Sequence, residues 1–159
     1  MNNPVRASCM IQQGQLTDTQ VRHLESQLIA TYRAHFGVER QVRVVWLSLP
    51  AGQAFVEGRP SRSSTIQIAV PDGTDDDKRH AFMRDASRFW LDYTGCTKDE
   101  LVLSVPDESY ALEFLKANMG RFDPKRMRGL RLRMLWHGLR SRLLRGYTTM
   151  SFNFTSAGR

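Results

Sequence analysis

The chain repeats itself. Thr17-Asp18-x-x-x-Arg22-His23 returns 57 positions later as Thr74-Asp75-x-x-x-Arg79-His80. A repeat of this kind means two copies of one supersecondary unit that bury their apolar faces together. Each copy has a short apolar run in front, Cys9 to Gln12 and Ile66 to Val70. Behind each lies a long helical pattern ending at Gly37 or Gly95. A second apolar run then follows, Val42 to Leu49 and Leu101 to Val105, closed by Pro50 and Pro106.

Thr17 and Thr74 are suited to cap the helices, because a threonine oxygen accepts from the free N–H groups of a first turn. Asp18 and Asp75 to Asp77 place negative charge where the helix dipole favours it. Val21, Leu24, Leu28 and Tyr32 recur at helical spacing, as do Phe82, Ala86, Phe89 and Tyr93. Gly37 and Gly95 suit the left-handed helix end. The runs Val42-Arg43-Val44-Val45-Trp46 and Leu101-Val102-Leu103-Ser104-Val105 are β-branched and apolar, as strands are. The reading is β-α-β twice. Such units pair their strands in parallel with a right-handed helical crossover. The expected α/β fold is therefore a four-stranded sheet with two helices on one face. Its other face is left bare, and covering it predicts a homo-oligomer.

A family resemblance rests on particular residues. They are the double repeat, the connector Pro50-Ala51-Gly52-Gln53-Ala54-Phe55-Val56-Glu57-Gly58, the Thr65-Ile66 strand, Pro4-Val5, Leu16-Thr17 and Gly120-Arg121-Phe122-x-Pro124. Together they resemble the tautomerase superfamily, within it the cis-3-chloroacrylic acid dehalogenase-like proteins with two fused β-α-β units. The likeness spans about residues 4 to 124. It divides the chain into a tautomerase-like domain at 1–124, with repeats at about 5–49 and 64–106, and a basic extension at 125–159. It implies a homotrimer, a small carboxylate ligand, and catalysis by the amine of an N-terminal proline.

Only an unacylated nitrogen exchanges protons near neutral pH, so Pro4 qualifies as catalyst only if trimming makes it the N-terminus. Retention of Met1 is expected, since Asn2 is bulky. By the resemblance, Tyr32 stands where the dehalogenases have a histidine, Ser104 where they have a tyrosine and Asn118 where they have a water-activating glutamate. Arg121 matches the arginine of their Gly-Arg-Phe segment. No arginine follows the third strand in Ile68 to Gly73. An amide cannot take a proton from water, so dehalogenase chemistry is not expected. Val42-Arg43-Val44 and Phe55 match the carboxylate-binding arginine and the pocket phenylalanine of 4-oxalocrotonate tautomerase. These six positions besides Pro4 are the expected substrate-binding set. The expected function is weak or altered isomerisation of a small enol or 2-oxo carboxylate; the alternative is an inactive homologue that binds anions or partners.

Composition limits the rest. Cys9 and Cys96 have no metal or redox spacing, and His23, His35, His80 and His137 form no zinc-type pair, so neither metal nor cofactor is expected. The uncharged run Val44 to Val56, which no other exceeds, is far below the roughly 20 residues of a membrane span. With no signal-like start, the expectation is a cytoplasmic protein. From Met119 onward, nine arginines, one lysine and one acid give +9, whereas the first 118 residues carry 13 bases and 15 acids, or −2. Specific nucleic-acid binding by the body is not expected. Leu132, Trp136, Leu139 and Leu143 keep helical spacing among the arginines, which reads as a basic amphipathic helix. Packing of that helix on the trimer is the preferred reading; an acidic partner or an anionic surface is the other. Met150, Phe152 and Phe154 alternate as a final strand, expected to reach a neighbouring subunit's sheet. On the non-catalytic reading, a chain cut after Pro124 loses its interactions while its core still folds.

Overall fold

The computed structural model describes residues 4–121 and 124–151, as backbone alone at 119, 124–128, 130, 131 and 151. Strand β1 (Val5–Gln12), helix α1 (Asp18–Phe36) and strand β2 (Val42–Leu49) form the first unit. A small hairpin follows, β3 (Phe55–Val56) and β4 (Arg59–Pro60). The second unit is β5 (Ser64–Ile68), α2 (Asp76–Thr94) and β6 (Leu101–Ser104). Helices α3 (Glu108–Met119) and α4 (Pro124–Arg145) then lead to β7 (Thr149–Ser151).

The sheet runs in the order β6-β5-β1-β2-β7. Within each unit the strands are parallel, and the units meet through the antiparallel pair β1 and β5. One sheet face presents Val5, Ala7, Cys9, Val44, Trp46, Ile66 and Ile68 to Leu24, Leu28 and Tyr32 of α1 and to Phe82, Ala86 and Trp90 of α2. The Trp46 and Trp90 rings stack with centroids 5.8 Å apart. Their polar atoms are answered: Trp90 Nε1 donates to Ser64 Oγ at 2.8 Å, and Trp46 Nε1 to Glu25 Oε2 at 2.9 Å.

Three expectations change. The second helix is capped by Asp75 rather than Thr74: Lys78 N donates to Asp75 Oδ1 at 2.8 Å, and the Thr74 hydroxyl donates to Pro71 O instead. Thr17 does cap α1, in a reciprocal box with Gln20. The core stripe of α2 ends on Trp90, while Tyr93 turns outward and stacks on His23, centroids 4.5 Å apart. The final strand pairs with β2 of its own chain, Trp46 opposite Thr149, so the sheet has five strands rather than four. Tyr147 explains why. It is buried against Trp46, and its hydroxyl donates to Asp18 Oδ1 at 2.7 Å. Residues 152–154 of that expected strand lie outside the described residues.

Candidate carboxylate-binding face

Strand alternation decides which side chains reach the open side of the sheet. Val5 and Val44 are buried, so Arg6 and Arg43 project to the opposite face, and both are exposed. Register brings them together, because Arg6 lies directly opposite Arg43 on the parallel strand. The backbones that carry these two guanidiniums are therefore about 4.8 Å apart. Among the described residues neither takes part in an ion pair. Adjacent like charges repel each other, and an anion between them relieves that repulsion. A planar guanidinium also matches a carboxylate with two parallel hydrogen bonds.

Pro4 enters the sheet at the same end. It is half-buried, and Val5 N just after it donates to Gln41 O at 2.8 Å. Its nitrogen is joined to Asn3, so in the full chain it is an amide.

The other expected positions are scattered. Ser104 shares the open face, across the row Ser104, Gln67, Ser8 and Val45. That row places it three strands, about 14 Å, from β2. Phe55 is 59% exposed on β3, beyond the far end of β2. The seven steps from Val42 to Leu49 put roughly 23 Å between the two ends of that strand. Gln12 holds this connector in place, accepting from Gly52 N at 3.0 Å and donating to Ser61 O at 2.5 Å. Asn118 donates its side-chain amide to Phe114 O at 2.9 Å, within α3. Arg121 is exposed just after α3.

Tyr32 departs from its expected place on a substrate surface. It is fully buried among Phe36 and Phe82, and burial raises its hydroxyl's pKa more than neighbouring Arg40 lowers it. Arg40 in turn pairs with Glu108. The arginines of the repeated motif serve structure as well: Arg79 donates to Val105 O and to Asp107, and Arg22 to Arg145 O.

Arg6 is the residue that sequence reasoning missed. Its signal was available in the two Val-Arg dipeptides, Val5-Arg6 and Val42-Arg43, each opening a strand of one parallel pair. The depression of about 340 Å³ between α1 and α2, lined by Thr31, His35, Asp85 and Phe89, lies on the helical side and opens away from these arginines. Among the described residues no group of three His, Cys, Asp or Glu side chains is arranged to hold a metal.

No protein-family profile and no curated protein matches the chain. Solved structures do. Native Ps01740 superposes with a TM-score of 0.61 and 23% identity, over 66% of this chain and 96% of that one. Native fused 4-OT gives 0.57 and 18%, over 64% and 85%. N1, a member of the cis-3-chloroacrylic acid dehalogenase family, gives 0.56 and 14%, over 64% and 73%. The fold is thus the one these structures share, and roughly a third of this chain lies outside the match.

Proposed function

We propose that the chain is a diverged tautomerase-superfamily protein that holds a small enol or 2-oxo carboxylate against Arg6 and Arg43 and isomerises it weakly. One observation carries the reading. Two exposed arginines in register, without ion-pair partners among the described residues, stand where Pro4 enters the sheet.

The carboxylate anchors the substrate, and the guanidinium charge favours the anionic enolate that forms between enol and ketone. Isomerisation removes the enol O–H proton and delivers a proton to the adjacent carbon. A secondary amine can mediate both transfers; an amide nitrogen cannot. Pro4 therefore acts only in chains that begin with it. Phe55 and Arg43 lie at opposite ends of β2, so a pocket using both draws them from different copies. Fused 4-OT forms trimers, and a homotrimer that covers the open face here supplies that arrangement.

A second reading is favoured by Tyr32, which is fully buried, and by Asn118, whose side-chain amide donates to Phe114 O of its own helix. On it the protein binds the anion without turnover. Intact mass and phenylenolpyruvate turnover on one sample separate the two. Turnover in step with the fraction of chains starting at Pro4 supports catalysis; turnover by chains that all keep Met1 rules out the proline mechanism, and binding without turnover supports the second reading. Arg43→Ala is expected to lower kcat/KM about 10- to 100-fold, as loss of a charged hydrogen-bond pair does, with the assembly intact. Unchanged activity in that variant contradicts the site.

A further inference from the structure

Helix α4 turns its apolar side outward. Leu132, Leu135, Trp136, Leu139 and Leu143 are 60–86% exposed and share one stripe at 3.6-residue periodicity. Arg133 and Arg140 fall on one flank of that stripe and Arg142 on the other, all three exposed. On the opposite side, Gly138, Ser141 and the Arg145 carbonyl pack against the body. Gly138 is buried, and a β-carbon there would meet the Thr148 methyl at 3.4 Å. The Ser141 hydroxyl accepts from Thr149 N at 3.0 Å, and Arg22 takes Arg145 O at 2.7 Å. The stripe is thereby fixed facing away from the body.

We propose that this face of α4 lies on an anionic lipid surface, the leucines and Trp136 seated among the acyl chains and the arginines on headgroup phosphates. Charge complementarity selects the occupant. Residues 124–145 carry eight bases and no acid. Basic helices with an apolar stripe of Leu and Trp partition into this boundary region, parallel to it. Among the described residues no helix is long and apolar enough to cross a membrane, so the helix lies on the surface.

A second copy fits less well. Pairing α4 with α4 sets arginine against arginine, and the open sheet face presents Arg6 and Arg43. The exposed apolar side of α3 (Tyr110, Phe114) offers Glu113, offset by Lys116 three residues on. Nucleic acid would answer the arginines and leave the leucines in water.

The test uses the full chain with vesicles of phosphatidylcholine alone and of phosphatidylcholine with phosphatidylglycerol. Trp46 and Trp90 are buried while Trp136 is 67% exposed, so a blue shift in emission on binding reports Trp136. Expected are sedimentation with the anionic vesicles only, a blue shift, and weakening by salt. Leu139→Glu or Leu143→Glu should abolish both signals without changing the circular dichroism or the melting temperature. Arg140→Ala should weaken partition about fivefold. The proposal is overturned by no binding to anionic vesicles, or by binding that both glutamate variants retain. It is equally overturned if those variants change the oligomer's mass or its RNA binding while the parent ignores vesicles.

Discussion

Glu57 holds a left-handed backbone at φ 50°, next to Gly58 at φ 76°. The pair turns the β3–β4 hairpin, and positive φ at both central residues is what such a two-residue turn requires. A β-carbon makes that conformation costly. Glu57→Gly is expected to raise stability by up to about 1 kcal/mol, read as an increase in melting temperature. Glu25 sets a pH dependence. Burial raises its carboxyl above the ordinary value of 4.5, more than the Trp46 hydrogen bond and Arg142 lower it. The folded chain then holds this proton more tightly than the unfolded one, so Glu25 costs stability as pH rises from about 4.5 through the folded value. In Glu25→Gln that decline should disappear, giving a melting temperature that gains on the parent between pH 4 and 7. An equal slope in the two proteins contradicts this. At this scale the sequence was only partly legible. Arg43 stood out because valines flank it on a strand, whereas Arg6 becomes its partner only through the β1–β2 register. Tyr32 could be assigned to the core by its helical spacing, but not to the vicinity of Arg40, which lies in the loop leading to β2.

The elements followed from local chemistry wherever periodicity and caps agreed. Both helices end at glycines, Gly95 left-handed at φ 68° and Gly37 at φ 113°, where a β-carbon would strike the Glu39 carboxylate. The two copies of the Thr-Asp motif look equivalent, yet the second is capped one residue later, because the Thr74 hydroxyl bonds back to Pro71 O. Spacing alone carries no sign of that exchange. The placement of β7 was equally hidden, since a short alternating run does not state which sheet edge it joins. Its pairing with β2 changes what truncation should do. A chain cut after Pro124 removes Tyr147 from Trp46 and the hydrogen-bond partners from the β2 edge. Losing a buried aromatic alone costs about 3–5 kcal/mol, so this truncation is expected to lower the melting temperature markedly. An unchanged melt would mean that the extension is not part of the stable core.

Among the described residues, the five-stranded sheet is covered on one side by α1 and α2, with Arg6 and Arg43 on the other. That open face also carries half-buried Met10, Val45 and Leu47 and exposed Val102, a surface suited to burial between copies. The parallel repeat made this architecture legible in the sequence. The proposed pocket was not, because Arg43 and Phe55 lie toward opposite ends of β2, whose length is roughly 23 Å, and on the proposed reading different copies supply them. The most direct test is a calorimetric titration of phenylpyruvate, a 2-oxo carboxylate, into the parent and Arg43→Ala, with the oligomeric mass of each measured alongside. Binding that weakens at least about tenfold in the variant, with the mass unchanged, is the result this account predicts. Equal affinity in the two proteins, or no binding by the parent, would contradict it.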